Sequence, residues 1–272
     1  MSPMQLVQKS SSSPLPRTCA DCVVRDLCLP AGLGAKDTAL LEHVVIRNRL
    51  VERQGAVCRA GSAFHSLYAI YSGFVKCTVT HDDGREQVTG LHMSGELIGM
   101  DAINSGKYTC DAVALENCNV CEIAFGELER LSREVPTLQH HFHRIMGREI
   151  ARDYGVMLLL GSMRAAERIA VFLLNLSKRY AARGHSATRF NLLLDRERIG
   201  SYLGIKLETV SRVLSRFQED GLLTVQHKDI EIKDLDRLEQ MIGNYRDMHR
   251  HASRPPLGMV QETPIQSSGQ YA

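Results

Sequence analysis

Short β-prone runs separated by glycines fill the segment from about residue 44 to residue 124. The runs read SLYAIYSG, FVKCTVT, EQVTGLHM, CDAVAL and NVCEIAF, and each has the length of a strand. The polar residues His81 to Gly84 separate two of these runs and predict a hairpin turn. The pattern therefore predicts an antiparallel β domain, a small roll or barrel.

The apolar spacing becomes helical after Pro136. One helical stretch extends through Leu160, and a second amphipathic stretch runs from Ala165 to Arg183 and ends near Gly184. Residues 189–245 then read as a compact helical module with a β-wing. The predicted fold class is α+β, with the β domain first, a long helix next and a C-terminal winged module.

The segment that begins at Arg196 has the spacing of a helix-turn-helix. Gly200 allows two helices to approach, and Gly204 allows the positive φ angle of a tight turn. Apolar side chains at the remaining key positions would close the crossing of the helices: Ile199, Leu203, Ile205, Val210 and Val213. The sequence thus predicts a module that inserts its second helix into a major groove.

Three residues of that second helix are candidates for base contacts. Arg212 can bind guanine, Glu208 can accept from cytosine, and Ser211 with the neighbouring Leu207 can contact thymine. The alternative is a solvated helix face. Residues 183–218 hold seven Lys and Arg against three acids, whereas the whole chain carries only +2. This local excess favours double-stranded DNA as the partner, and two modules on a twofold axis would contact half-sites about 34 Å apart.

The long helix carries a candidate dimer seam. Apolar residues and one carboxylate follow spacings of four and three: Met146, Ile150, Asp153, Met157 and Leu160. In a parallel pair the two Asp153 carboxylates would face each other and repel, so Asp153 is predicted to restrain dimerisation. In the alternative, Asp153 lies off the seam and is merely solvated.

Three cysteines, Cys19, Cys22 and Cys28, occur in the short stretch CADCVVRDLCLP. Residues 1–17 lack a secretory signal, and no apolar run is long enough to cross a bilayer, so a cytoplasmic location is expected. In that reducing compartment a C-x2-C-x5-C pattern indicates metal binding or redox chemistry rather than disulfides. Apolar residues are expected to surround these ligands: Val23, Val24 and Leu27.

Three thiolates leave a tetrahedral zinc site or a cubane cluster one ligand short. The remaining cysteines are Cys58, Cys77, Cys110, Cys118 and Cys121, of which four are expected to be small buried apolar residues. Spacing alone does not separate Cys118 from Cys121, and ligand count does not separate zinc from an iron-sulfur cluster.

Several motifs lie between Cys19 and Asn244: the cysteine pattern followed by Leu-Pro, SLYAIYSGFVK, GELIGMDA, VCEI, MLLL, AERIAVFLLNLSKR and ETVSR. Together they resemble the anaerobic regulators of the fumarate and nitrate reductase (FNR) type, within the cyclic-AMP receptor protein superfamily. The resemblance implies a cyclic-nucleotide-binding-like β-roll, a dimerisation helix and a winged helix-turn-helix. The ends are rich in Ser, Pro and Gln and are expected to be disordered. The predicted segments are 1–17, a disordered arm; 18–30, a cluster loop; 31–135, the sensor roll; 136–162, the dimer helix; 163–250, the DNA-binding domain; and 251–272, a disordered tail.

What the family resemblance implies for chemistry is one [4Fe-4S] cluster per subunit, held by the first three cysteines and by the cysteine of V-C-E-I, which is Cys121. The cluster would promote homodimerisation and binding to a TTGAT-N4-ATCAA-like site, contacted by Glu208, Ser211 and Arg212. Oxygen would convert the cluster to a [2Fe-2S] form and release the DNA. The family also has counterparts of Ile150 and Asp153 at its dimer helix.

Two departures from relatives are informative. Cyclic-nucleotide-binding members hold the phosphate with an Arg-Ser pair, where this chain has Tyr108 to Asp111, so no cyclic nucleotide is expected. The family contacts RNA polymerase through the turn at residues 82–86, and here only Gly84 and Glu86 match. Polymerase contact is therefore a weaker expectation.

Two other classes of protein remain open from the sequence. A zinc-dependent or thiol-disulfide regulator would use the same cysteines without iron. An enzyme would need a site such as His140-His141-x-His143, but these residues are expected on the solvated face of an amphipathic helix. The chain offers no nucleophile-base pair or phosphate-binding glycine loop, so no enzyme is expected.

Overall fold

The computed structural model describes residues 18–243. The predicted arm 1–17 and tail 251–272 lie outside these residues, as does the end of the predicted DNA-binding segment, 244–250.

The N-terminal half is a roll of two antiparallel four-stranded sheets, as the β-prone runs separated by glycines predicted. One sheet has the order β1-β8-β3-β6, and the other has the order β2-β7-β4-β5. The strands are β1 (Val45–Val51), β2 (Ala56–Cys58), β3 (Ser66–Ser72), β4 (Phe74–Thr80), β5 (Glu86–Met93), β6 (Leu97–Ile98), β7 (Asp111–Ala114) and β8 (Cys118–Ala124).

The hairpin turn predicted at His81 to Gly84 joins β4 to β5. The His81 N–H donates to the carbonyl of Arg85 at 2.9 Å, and Gly84 has a φ angle of 84°. A non-glycine side chain would be strained at that φ angle, which explains the glycine at this point of the turn.

Helices flank the roll and continue beyond it. They are α1 (Ala35–Glu42), α2 (Phe125–Glu134), α3 (Pro136–Ser162), α4 (Ala165–Ala181), α5 (Arg196–Leu203), α6 (Leu207–Glu219) and α7 (Leu235–Met241). Pro136 occupies the first turn of α3, where its missing N–H costs no hydrogen bond. The long helix and the second amphipathic helix therefore lie where the sequence predicted them.

The N-terminal half of α3 packs against the start of the described chain. Leu138, Phe142 and Ile145 belong to the same buried cluster as Leu29 and Leu41. Burial of these apolar side chains fixes the residues after the cysteine pattern onto the long helix.

The C-terminal module contains α4 to α7 and a three-stranded wing. The wing has the order β10-β11-β9, formed by β9 (Arg189–Asn191), β10 (Leu223–Gln226) and β11 (Asp229–Ile232). Its core is continuous with the roll, since Phe74, Leu91 and Met93 pack in the same cluster as α4. In residues 18–243, no helix has the length and apolar character needed to cross a membrane.

Candidate functional site

The cysteine loop is a short irregular segment held by turns. The Arg25 N–H donates to the Cys22 carbonyl at 3.0 Å, and a single 3₁₀ turn follows at Arg25–Leu27. The Ala20 N–H donates to the Glu42 carboxylate at 3.2 Å, which ties the loop to the end of α1. These contacts bend the chain so that the three cysteines of the loop can lie on the same side of it.

The four predicted cysteine ligands line a single cavity. Cys19, Cys22 and Cys28 reach it from the loop, and Cys121 reaches it from β8. The other walls are almost entirely apolar and include Val24, Leu29, Pro30, Leu41, Val45, Ala69, Ile70, Tyr71 and Ile123. The structure therefore brings together cysteines that lie about ninety residues apart in sequence.

The apolar surroundings act on the protonation of these thiols. Burial raises the pKa of Cys19 to about 11 and the pKa of Cys28 and Cys121 to about 12, and it also raises the pKa of Cys22. Repulsion between neighbouring thiolates adds to the shift, with Cys121 acting on Cys28 and Cys19 acting on Cys121. Each thiol is thus neutral at pH 7 unless a cation stabilises its thiolate.

The donor set fits an iron-sulfur cluster by its chemistry. Thiolates are the protein ligands that such clusters take, and an apolar wall limits access of solvent. Within residues 18–243, no three His, Cys, Asp or Glu side chains are close enough to hold one metal ion. The four thiols thus share a cavity without converging on a single-ion position.

The other four cysteines lie inside the β-roll, as expected for small apolar residues: Cys58, Cys77, Cys110 and Cys118. Cys118 is fully buried, and its Sγ lies 3.3 Å from the carbonyl oxygen of Phe74. The expectation that Val23 surrounds the ligands is wrong, because this residue is 81% exposed. Val23 lies at the outer side of the loop, whereas Val24 lines the cavity.

A histidine joins the cysteine loop to the long helix. The His141 Nε2 lies 3.1 Å from the carbonyl oxygen of Cys28. The expectation of a solvated face holds for His140 and His143, which are exposed, but not for His141, which is half-buried. Sequence reasoning missed this contact because it depends on the packing of α3 against a distant loop.

The helix-turn-helix is formed by α5 and α6. A Cβ atom on Gly200 would lie 2.5 Å from the carbonyl oxygen of Ile205, so only glycine permits this crossing. Gly204 has a φ angle of 62°, as the sequence predicted. Arg168 secures the turn by donating to the carbonyls of Leu203 at 2.9 Å and Leu160 at 2.8 Å.

The predicted recognition residues lie on the outer face of α6. Glu208 and Arg212 are exposed, and Ser211 is half-buried. The opposite face buries Val210 and Leu214. The recognition face is therefore open to solvent on a helix whose other side is fixed by its core.

The outer face of α3 carries the predicted seam. Ile150, Asp153, Met157 and Leu160 are exposed, and Met146 is half-buried. Partial burial raises the pKa of Asp153 from its usual range. Tyr154 of the same helix is 64% exposed. It was not predicted as a seam residue, because it does not fall on the spacing of four and three.

The turn predicted to touch polymerase projects from the β4–β5 hairpin. Gly84 is exposed, and the Glu86 carboxylate pairs with Lys76 at 3.4 Å. The Glu86 carbonyl accepts from the Ser201 hydroxyl at 3.1 Å. The base of this hairpin is thus attached to α5.

Comparison with known families agrees with both halves of the fold. Residues 49–134 match the cyclic nucleotide-binding domain, and residues 167–241 match the Crp-like helix-turn-helix domain. FixK2 from Bradyrhizobium japonicum is a similar solved structure, with a TM-score of 0.66 and 26% identity, covering 71% of this chain and 96% of that chain.

Two regulators are similar along most of their length. The fumarate and nitrate reduction regulatory protein of Escherichia coli is 41% identical over 230 residues, 85% of this chain and 92% of that protein. The transcriptional activator protein anr of Pseudomonas aeruginosa is 43% identical over 225 residues, 83% of this chain and 92% of that protein.

The two domains and the helix between them define a DNA-binding transcription regulator of the Crp superfamily, which is not an enzyme. Within that superfamily the chain belongs to the FNR-type regulators. Members of the superfamily act as dimers, and regulation linked to anaerobic conditions is the common theme of these relatives.

Proposed function

We propose that this protein is an oxygen-responsive global transcription regulator of the cytoplasm. In this proposal Cys19, Cys22, Cys28 and Cys121 hold one [4Fe-4S] cluster per subunit, which promotes dimerisation and DNA binding without oxygen. The observation that carries the proposal is the shared apolar cavity, lined by three cysteines of the loop and one of β8. When bound, the cluster supplies the oxygen-sensitive chemistry.

The chain's own part in sensing is to join two segments. Cys121 is fixed on β8, where it pairs with Ala69 of β3 and Asn48 of β1. The loop cysteines have no such ladder around them and depend on turns. Shared ligation would therefore fasten a weakly held loop onto a rigid sheet, with a gain in folding free energy.

A short path leads from the loop to the dimer seam. Cys28 contacts His141 through its carbonyl oxygen, and Ile145 and Met146 lie one turn further along α3. Fastening the loop thus acts directly on the helix that carries the seam. The shift needed is small, because a two-state equilibrium near balance responds to about 1 kcal/mol.

Asp153 supplies the opposing contribution in this account. Its carboxylate lies on the exposed face of α3 beside Ile150 and Met157. When two chains pair in register, these carboxylates approach each other and repel. Asp153 keeps the cluster-free protein monomeric, and the ordering of the loop overcomes that repulsion.

The DNA target proposed is a pseudo-palindrome similar to TTGAT-N4-ATCAA. Support comes from the open face of α6, where Arg212 and Glu208 are exposed on a helix whose partner face is buried. RNA polymerase is the second macromolecular partner, contacted at Gly84 and Glu86 of the projecting hairpin turn.

No cyclic nucleotide takes part in this proposal. The cavity between the roll and α3 is lined by Thr109 and Cys110, just before β7, and by Asp101, and a carboxylate repels a phosphate. Arg152 also lines it, but its guanidinium already pairs with Glu96 at 3.5 Å and with Glu149 at 3.0 Å. The cavity therefore lacks an uncommitted cation for an anionic ligand among its lining residues.

Anaerobic purification tests the proposal. The protein should be brown, contain iron and acid-labile sulfide, and lose its absorption and its binding to the paired site together in air. A colourless protein that contains zinc and binds DNA equally well in air would favour the zinc or thiol-redox regulator instead.

A further inference from the structure

Three separate parts of the molecule meet at one buried carboxylate. Glu96 lies in the turn before β6, and its side chain is 13% exposed. Its Oε2 lies 2.7 Å from the Arg179 Nη2, and its Oε1 lies 2.6 Å from the Arg183 Nη2. Its Oε2 also lies 3.5 Å from the Arg152 Nη2. Glu96 thus joins the roll to the DNA-binding domain and to the dimer helix.

The two arginines of the DNA-binding domain also bind the backbone of the roll. Arg179 donates to the carbonyl of Leu91 at 2.7 Å, and Arg183 donates to the carbonyl of Ser94 at 2.8 Å. Both side chains therefore bind the roll through ion pairs and through hydrogen bonds. Such charge-assisted, multiply bonded arginines hold a defined geometry better than a single ion pair does.

A second attachment lies beside the first. The Ser201 hydroxyl of α5 accepts from the Val88 N–H at 2.9 Å and donates to the Glu86 carbonyl at 3.1 Å. The Gln87 amide donates to the Ser201 carbonyl. The first helix of the DNA-binding motif is thus fixed to the beginning of β5, the strand whose other end precedes Glu96.

The ion pairs of Glu96 with Arg152, Arg179 and Arg183, called the joint below, are stabilised by their charges. Burial opposes the ionisation of Glu96, but Arg179 and Arg152 outweigh it and lower the pKa of Glu96 to about 2. Three guanidinium groups converge on one carboxylate, so its removal would leave cations without compensation in a partly buried place. Loss of one partner of such a buried network is strongly unfavourable.

The DNA-binding domain, held against the roll in this way, leaves the outer face of α6 free. Glu208 and Arg212 are exposed while Glu96 is engaged, so the joint does not cover the DNA-reading surface. What it fixes is the direction of α4 relative to α3, because Arg152 of α3 shares the carboxylate with Arg179 of α4. The recognition helix α6 follows α4, since both pack in one core. A joint of this kind positions the recognition helix.

We propose that Glu96 is a positioning residue that sets the separation of the two recognition helices in the dimer. This inference rests on the proposed function in one respect, the use of paired half-sites on DNA. Two rigidly held helices accept one half-site spacing, whereas two loosely held helices accept several. Glu96 with Arg179 and Arg183 would therefore control spacing specificity without touching DNA.

Two variants and one control test the positioning. Glu96→Gln removes the central charge, and Arg183→Gln removes one arm while Glu96 stays paired with Arg179 and Arg152, so that a folded variant is retained. Glu127→Gln is the matched control, because Glu127 is exposed on α2 and pairs only with Arg130 in the described structure. All are prepared anaerobically as full-length protein.

The first measurement uses hydrogen exchange without DNA. We expect the backbone amides of β5 and of the end of α4 to exchange at least about tenfold faster in Glu96→Gln, and less so in Arg183→Gln. The control should match the wild type. Unchanged protection in both variants would overturn the joint itself.

The second measurement compares duplexes that differ only in the spacer between half-sites. The wild type should prefer its best spacer over longer and shorter ones by at least about tenfold, and both variants should reduce that preference to about threefold or less. A preference that survives in both variants would overturn the positioning role, as would tighter binding at every spacer, which would mark the joint as a brake. A wild type that binds no paired duplex would instead refute the proposed function, while exchange would still decide on the joint.

Discussion

The cysteine loop and the helix-turn-helix are stabilised in opposite ways. In α6, Val210, Leu214 and Phe217 are buried against the module's own core. In the loop, only the last residues, Cys28, Leu29 and Pro30, are buried, and the residues before them are held by turns and single hydrogen bonds. The DNA-binding helix is therefore fixed by a packed core, whereas the proposed ligands Cys19 and Cys22 lie in a segment with little packing energy of its own.

This difference in packing is suited to a conformational switch. A segment with few buried contacts can gain or lose order for a small change in free energy, while a packed module keeps its shape throughout. The connection between them passes along α3, from His141 in its first half to the carbonyl of Leu160 near its end, which accepts from Arg168 of α4. Substitutions of Cys121, Gly200, Arg212 and Asp153 each alter the loop, the packed module or the helix that connects them.

The largest expected effect is at Cys121. Cys121→Ser should abolish the iron content and absorption of anaerobically purified protein, because a ligand from the rigid sheet is lost. Cys118→Ser is the matched control on the same strand, and a serine hydroxyl can donate to the Phe74 carbonyl that Cys118 Sγ approaches at 3.3 Å. Equal iron in both variants would show that the cavity is not the cluster site.

In the packed helix-turn-helix, the position most sensitive to substitution is Gly200. Gly200→Ala places a Cβ 2.5 Å from the Ile205 carbonyl oxygen, and we expect a loss of about 3 kcal/mol in the free energy of unfolding. Chemical denaturation of the metal-free protein measures it. Gly126→Ala in α2 meets nothing within 4 Å, so it should be neutral or slightly stabilising. Equal stability of the two variants would contradict the close crossing.

Substitution of the exposed Arg212 tests base recognition without altering the fold. Arg212→Ala should weaken binding to the specific site by about 2 kcal/mol, or about thirtyfold, and should relax discrimination at one base pair. Fluorescence anisotropy with single-base variants of the site measures both effects, with unfolding curves as the control. A uniform loss on all sequences would mean that Arg212 contacts phosphate instead.

The smallest effect is expected at Asp153 on the connecting helix. Asp153→Ala should strengthen dimerisation of the metal-free protein by about 1 kcal/mol, or about fivefold, because the repulsion between paired carboxylates is removed. Asp153→Asn keeps the shape and should give a similar gain. An unchanged monomer-dimer constant in analytical ultracentrifugation would place Asp153 off the seam.

Local pattern predicted most of the architecture. The strands of the roll, the long helix after Pro136 and the glycines of the helix-turn-helix each depend on residues close in sequence, where spacing and backbone preference are informative. The comparisons confirm the fold class and the family. The assignments of Cys19, Cys22, Cys28 and Cys121 as ligands stay predictions, with their shared cavity as support.

Contacts between distant segments could not be predicted. Glu96 and Arg179 are 83 residues apart, and nothing near either residue indicates the other. His141 looked like a solvated histidine because its partner is a backbone carbonyl 113 residues away. Both contacts arise from packing of whole elements, which single-sequence periodicity does not contain.

The most direct test of the central claim follows the cluster and the dimer in one sample. Anaerobic protein is titrated with oxygen, and the cluster absorption and the sedimentation coefficient are recorded at each step. We expect the dimer fraction to fall in proportion to the remaining cluster, and we expect Asp153→Ala to retain a larger dimer fraction than the wild type after the absorption is lost. A wild-type dimer that persists at full strength after complete loss of the cluster would contradict it.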